Sequence, residues 1–291
     1  MEQKRAIDGF GATALTAFSA VLAFNLVVVK VTNTGMDPVF QAGLRSVLAA
    51  PILLGWIRLR RVKLRFVPGA LFWGVVSGLL FAVEFLAIYL ALDLTTVARA
   101  SVLFYSMPIW LALAAHLLLP GDRLTRPKAI GLALAMAGVA LALADRGGGH
   151  ASLAGDLLAL VATLAWAGLA LTLRATPLSR VEPAGQLLVQ LVVSAPILLI
   201  LAPLFGPPLR EPQLIHWLGL AYQTIAVASF GFLSWFWLLT IYRASSVAAF
   251  SFLAPVFAVY FGWAVLDEQI ATSVWLALGL VVSGLILINR K

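Results

Sequence analysis

The chain has 291 residues, of which 62% are hydrophobic and 11% are charged. Soluble domains are typically about 45 to 50% apolar and about 25% charged. A 31.1 kDa chain with a mean hydropathy of +1.02 would expose large apolar patches, and such patches aggregate in water unless lipid covers them. This composition excludes an ordinary soluble protein and predicts one embedded in a bilayer. The chain has no cysteine, which excludes disulfides and thiolate metal sites.

Ten apolar stretches follow one another along the chain. A helix that crosses about 30 Å of hydrocarbon needs about 20 mostly apolar residues. The breaks between the stretches hold turn residues, and none is long enough for a soluble domain. The sequence therefore predicts an all-α integral membrane protein with ten transmembrane helices. The stretches run over residues 10–29, 39–57, 67–92, 97–119, 129–144, 153–173, 183–204, 214–241, 246–266 and 274–288.

The net charge of +8 reflects orientation in the membrane. With a cytoplasmic amino terminus, ten crossings place fifteen of the 20 Lys and Arg residues on the cytoplasmic side. The positive-inside rule then predicts that both termini are cytoplasmic. Because the basic residues do not share one face, no nucleic-acid partner is expected. Short loops without an N-x-Ser/Thr sequon favour a bacterial inner membrane.

The sequence contains two copies of one pattern. The run Ala-Pro-Ile-Leu-Leu at 50–54 recurs at 195–199, an offset of 145. Pro108 matches Pro255 at an offset of 147, and Gly138 matches Gly284 at 146. We interpret residues 1–146 as a first repeat, 147–152 as a linker and 153–291 as a second repeat of one transmembrane unit. Since each copy crosses five times, the second must enter the membrane in the opposite sense, as in transporters with inverted-topology repeats.

These features resemble a known family, the ten-helix EamA-type permeases of the drug/metabolite transporter superfamily. The resemblance covers nearly the whole chain. It implies a polytopic permease that moves a small metabolite or amino acid, often outward from the cytoplasm. The residues that carry it are Asn25, Lys30, Pro38 and Arg45, the segment 98–108 with Leu124 and Gly138, and the segment 245–255 with Glu268 and Gly284.

Arg45 and Glu84 are ionisable residues at membrane depth, where such groups are costly and are candidates for function. Counted at 1.5 Å per residue, they lie about 9 and about 12 Å below the outer edge of their helices. They form a candidate ion pair that would lock the second helix to the third. In other readings, Arg45 extends to the interface, or Glu84 faces a cavity and binds an ammonium group or a proton.

Small and mildly polar residues share one face of the third helix at three- and four-residue spacing. They are Gly74, Ser77, Phe81 and Glu84, and the matching face of the eighth helix carries Ala221, Thr224, Ala228 and Gly231. Such faces line a cavity or allow close helix packing. The candidate cavity residues among them are Ser77, Phe81, Glu84 and Thr224.

The fourth and ninth helices carry matching prolines. An aromatic ring stands three residues before each, as Tyr105 before Pro108 and Phe252 before Pro255. Proline removes a backbone hydrogen bond and kinks a helix, so both prolines are predicted kinks and both rings are candidate walls or gates. Ser101, Asn25 and Trp166 complete the candidate cavity. Lipid contact or core packing is the alternative role for each ring.

Enzyme motifs are absent from the sequence. No HExxH zinc motif and no GxSxG nucleophile motif occur, so we expect no enzymatic activity, cofactor or metal. The expected partners are a small-molecule substrate and the lipid bilayer, and the sequence leaves a homo-oligomer open.

We hypothesise a secondary transporter that works by alternating access and exports amino acids, with aromatic or apolar ones preferred. Proton-coupled efflux of cationic drugs, or carriage of another metabolite, is the alternative within this class. An intramembrane enzyme would need paired acids, a Ser/His pair or metal ligands. A channel or structural role does not explain the repeat.

Overall fold

The computed structural model describes residues 8–118, 125–144, 152–231, 234, 237, 238, 241, 242 and 250–289, with the backbone alone for 251 and 289. The predicted linker lies outside these residues except for Ser152. The described α-helices, α1 to α11 in chain order, are Gly9–Asn33, Pro38–Leu59, Ala70–Leu94, Val97–Phe104, Met107–Leu118, Arg126–Ala144, Leu153–Ala175, Pro183–Leu201, Leu214–Tyr222, Leu253–Leu266 and Thr272–Asn289. A π-helix, Gln223–Gly231, continues α9.

These helices form ten apolar segments among the described residues. Eight are long and apolar enough to cross a membrane, with α4 and α5 counted as one crossing, and two shorter apolar helices follow near the end of the chain. The prediction of an all-helical membrane protein with ten helices is therefore confirmed. The first part of the predicted ninth stretch, residues 246–249, lies outside the described residues.

The fourth crossing is broken in its middle. α4 ends at Phe104, Tyr105 and Ser106 form a turn, and α5 restarts at Met107 with Pro108 as its second residue. Proline fits the first turn of a helix, where its missing N–H would have no intrahelical acceptor. In the second half, a 3-10 turn over Phe250–Phe252 directly precedes α10, whose third residue is Pro255. Both prolines thus sit just after a change in helix geometry.

Equivalent helices of the two halves lie against each other, as α2 against α8 and α6 against α11. The remaining contacts come in matched sets, because α7 packs against α3 and the fourth crossing, while α1 packs against α9 and α10. Each half has five crossings, so the halves have opposite topology.

Glycines allow close approach between α6 and α11. A Cβ atom at Gly138 would lie 2.8 Å from the carbonyl oxygen of Ala277, and one at Gly131 would lie 2.7 Å from that of Gly284. The two pairs are equivalent under the 146-residue offset of the repeat. Small residues at such seams let helix backbones pack tightly in a membrane.

Large apolar side chains cover the outside of the bundle. Leu59, Ile200, Leu204 and Leu214 are each more than 70% exposed. An exposed apolar surface of this kind suits contact with lipid.

Candidate substrate site

The predicted face of α3 divides into a packed part and a charged part. Gly74 and Gly78 approach Val189 and Val193 of α8 closely, so close helix packing explains this part. Ser77 is buried and its Oγ donates to the carbonyl of Gly74 at 2.8 Å. One and two turns further along α3, Phe81 and Glu84 are also buried.

Arg45 lies on the aromatic side chains of α3. Its guanidinium carbon is 3.8 Å from the ring centroid of Phe85, 5.9 Å from that of Phe81 and 5.7 Å from that of Tyr89. The described ion pairs do not include one between Arg45 and Glu84, so a cation–π contact takes the place of the candidate pair. Arg45 is 1% exposed, which also rules out extension to the interface.

A hydrogen-bonded polar network lies one helical turn from Arg45. The Gln41 side-chain amide donates to Oε1 of Gln223 at 3.0 Å, and the Tyr89 hydroxyl donates to the same oxygen at 2.7 Å. Gln223 in turn donates to Oγ1 of Thr32 at 3.3 Å. This network joins α1, α2, α3 and the eighth crossing, and sequence reasoning missed it. Glutamines inside apolar stretches were the available signal, because buried amides need partners.

The π-helix begins at this network. Gln223 is its first residue and Thr224, a predicted cavity residue, is its second. Thr224 is buried and its hydroxyl donates to the carbonyl of Leu220 at 2.8 Å. The irregular backbone therefore coincides with the polar part of the bundle. π-helical turns occur frequently at functional sites.

Aromatic rings meet at the break in the fourth crossing. Trp166 of α7 stacks on Phe104 with a centroid distance of 4.8 Å and an interplanar angle of 22°, and it contacts Tyr105 edge-on at 6.3 Å. The Thr163 hydroxyl donates to the carbonyls of Leu103 and Phe104 at 2.9 and 3.3 Å. The single hydroxyl proton of Thr163 can bond one carbonyl at a time, and these short distances show that α7 packs directly against the break. Phe104 is an addition to the predicted set.

The remaining predicted residues lie elsewhere in the interior. Ser101 is buried on α4 and its Oγ donates to the carbonyl of Ala98 at 2.9 Å. Asn25 is buried on α1, and its Oδ1 has no hydrogen-bond partner. Phe252 is half-buried and packs against the main apolar core. The structure therefore brings Phe81, Glu84 and Arg45 together on one side, and Tyr105 and Trp166 together on another.

Charged groups fix the hairpin between α3 and α4. The Lys30 ammonium donates to the carbonyls of Leu92 at 2.9 Å and Thr95 at 2.6 Å, at the end of α3. Arg99 forms a buried ion pair with Asp156 of α7 at 2.5 Å. A cation at a helix C-terminus complements the helix dipole, so these contacts stabilise the hairpin.

Two loops from different halves join at one end of the bundle. Met36 and Leu209 form an antiparallel bridge, and the Arg210 N–H donates to the carbonyl of Gly35 at 2.8 Å. The Arg210 side chain pairs with Asp93 at 3.1 Å and approaches Asp37 at 3.7 Å. Burial raises the pKa of the Asp37 carboxyl, and N–H groups of Phe40 and Val39 oppose that rise. These contacts join the two loops at this end of the bundle.

Ten apolar helices in two inverted halves, with polar side chains buried between them, define a membrane transporter of the inverted-repeat class. The chain belongs to the EamA-like transporter family, whose sequence pattern matches residues 9–144 and again 153–290. This match confirms the resemblance and the duplication. It also confirms the expectation that the chain is a transporter and not an enzyme.

Curated relatives match over nearly the whole chain. The uncharacterized transporter YoaV of Bacillus subtilis is 25% identical over 93% of this chain and 94% of the relative. YvbV of the same organism is 29% identical over 95% and 91%, and the uncharacterized inner membrane transporter YedA of Escherichia coli is 23% identical over 95% and 89%. A crystal structure of another protein, 22% identical, has a TM-score of 0.66 and covers 95% of this chain and 97% of its own. The last likeness shows the fold alone.

Proposed function

We propose that the protein is a secondary transporter that exports amino acids, with aromatic and other apolar ones preferred, by alternating access. The observation that carries this proposal is that two buried charged residues, Arg45 of α2 and Glu84 of α3, lie beside aromatic rings of α3. Arg45 and Glu84 are both at most 5% exposed, and the rings of Phe81 and Phe85 stand beside them. An α-amino acid offers two opposite charges and a side chain, and an apolar side chain would match the rings.

The inverted repeat supports alternating access. In transporters with such repeats, the substrate site lies near the midplane at the repeat interface, and rocking of one part exposes it to each side in turn. The closed loop contact around Arg210 belongs to one end of the bundle, and the proposed cycle opens it. We further propose that both termini are cytoplasmic, which fits the positive-inside bias of the sequence.

Counterflow tests the proposal. Purified protein is reconstituted into liposomes loaded with unlabelled phenylalanine, and uptake of labelled phenylalanine is measured against protein-free liposomes. Amino acids, sugars and cationic drugs are added as competitors. We expect uptake that aromatic and other apolar amino acids suppress and sugars do not. Uptake no higher than in protein-free liposomes, from protein that remains folded, would refute the amino-acid proposal.

A second candidate function is proton-coupled efflux of cationic drugs. The observation that favours it is Glu84, a buried carboxyl in the membrane with no described ion-pair partner, because such groups mark proton or cation pathways. Drug efflux predicts that a cationic dye is expelled from liposomes when a proton gradient is imposed. Phenylalanine should not compete with the dye.

A further inference from the structure

Arg45 is a buried cation whose hydrogen-bonding capacity is largely unused. Its Nε and Nη2 atoms are buried and have no hydrogen-bond partner. A buried charged group without hydrogen-bonding partners is strongly unfavourable, and removing a partner from a buried pair destabilises a protein markedly. The contact with Phe85 offsets part of this cost. The ring contact does not satisfy any N–H group, so Nε and Nη2 keep their capacity to bind an acceptor.

The geometry of the ring contact leaves the N–H groups of Arg45 available. A distance of 3.8 Å from the guanidinium carbon to the Phe85 centroid is typical of a guanidinium stacked on a ring. In that arrangement the N–H groups point sideways, in the plane of the guanidinium. Carboxylates bind guanidinium in this plane through two parallel hydrogen bonds, and the fork of Arg matches them better than Lys does.

Gln41 provides an unpaired acceptor next to these unpaired donors. Its Oε1 is buried without a hydrogen-bond partner, although its amide nitrogen is bonded to Gln223. Residues four apart on a helix have Cβ atoms about 5 to 6 Å apart, so the donors of Arg45 and the acceptor of Gln41 face one region. Glu84 adds a negative charge on the neighbouring α3. Free donors beside a free acceptor are complementary to a ligand that carries both a carboxylate and an ammonium group.

We propose that Nε and Nη2 of Arg45 bind the carboxylate of the substrate, so that a free carboxylate is the group the transporter requires. The inference rests on the proposed function for its choice of amino acids. It goes further in naming the recognised group and the residue that recognises it. Neutral amides and esters of the same compounds are then poor ligands, since they lose the charge-assisted pair.

Binding to purified protein in detergent tests this inference without relying on transport. Thermal stabilisation is titrated with two pairs of compounds that differ only at the carboxylate, phenylalanine against phenylalaninamide and 3-phenylpropionate against 3-phenylpropanamide. We expect each acid to bind the wild type about 10- to 100-fold more tightly than its amide, the range of a hydrogen-bonded charged pair. Arg45→Lys should lower this ratio to about threefold or less, because Lys lacks the fork.

Arg60→Lys is the matched control, since Arg60 is exposed at the end of α2, and it should leave the ratio unchanged. Equal binding of acid and amide by the wild type, binding of neither acid, or an unchanged ratio in Arg45→Lys would overturn the inference. The wild-type comparison decides the matter even where Arg45→Lys does not fold. Acid preference without phenylalanine counterflow would refute the proposed function alone, and counterflow of phenylalanine and its amide at equal rates would refute only the role of Arg45.

Discussion

The Glu268 carboxylate caps the helix that begins at Val97 in the opposite half of the molecule. Its Oε1 accepts the N–H of Val97 at 2.6 Å, and its Oε2 accepts the N–H of Ala98 at 3.0 Å. The first N–H groups of a helix have no intrahelical acceptor, and a negative charge there is favourable. Glu268 follows α10, so the second half stabilises the start of α4 in the first half.

Replacement of this cap should weaken the contact between the halves. We expect Glu268→Gln, which keeps one acceptor and removes the charge, to lower the free energy of unfolding by about 1 kcal/mol. The change is measured as a lower thermal unfolding midpoint in detergent. Glu211→Gln, at an exposed loop position, serves as the control. Equal midpoints for the two variants would contradict the capping role.

The buried pair between Arg99 and Asp156 should be much more sensitive to substitution than the partly exposed pair between Arg210 and Asp93. We expect Asp156→Asn to cost about 3 to 5 kcal/mol, because it leaves a buried guanidinium without its counter-charge. Asp93→Asn should cost about 1 kcal/mol or less, as for solvent-screened pairs. Unfolding of both variants is followed in parallel, and a smaller loss for Asp156→Asn than for Asp93→Asn would count against this description.

The glycine seam between α6 and α11 should not tolerate side chains. Gly138→Val places its Cβ against the Ala277 carbonyl and should destabilise the protein by about 1 to 3 kcal/mol, the usual cost of overpacking. Gly55→Ala, where nothing lies within 4 Å of the added Cβ, should have no such cost. A Gly138→Val protein that unfolds at the wild-type midpoint would show that the helices are not in close contact.

Glu84→Gln separates the two candidate functions. If the site holds a zwitterionic amino acid, we expect phenylalanine counterflow to fall about tenfold but to persist, because Gln loses the charge that faces the ammonium group while Arg45 and the rings remain. If the protein expels cationic drugs with protons, the same change should abolish efflux driven by a pH gradient. Both assays are run on one preparation, with Arg60→Lys, at an exposed position, as the folded control.

The fold followed from the sequence because its signals are strong and repeated. Apolar stretches of membrane-spanning length set the number of helices, and the offset of 145 to 147 residues indicated the duplication. Pro108 and Pro255 each stand just after a change in helix geometry. The role of each proline as a kink stays a prediction, which rests on the local effect of the missing N–H.

The site was harder to predict because its contacts join distant parts of the chain. Depth alone suggested that Arg45 and Glu84 lie near each other. It could not predict that the guanidinium lies on the Phe85 ring, because depth along a helix says nothing about rotation around its axis. The Gln41–Gln223 bond joins residues 182 positions apart. The family resemblance singled out Glu268. Its hydrogen bonds to α4 could not be predicted without knowing how one half packs against the other.

Accessibility of Ser101, a predicted cavity residue that is buried on α4, from each side of the membrane tests alternating access. The chain has no native cysteine, so a single Ser101→Cys reports one position without background. With membrane-impermeant maleimides applied to either side of oriented vesicles, we expect Cys at 101 to react from both sides and phenylalanine to change the balance between them. Ser179→Cys, at an exposed position of the short 3-10 helix Pro177–Arg180, should react from one side only. Reaction of the Ser101→Cys protein from a single side, with and without substrate, would contradict a two-sided carrier.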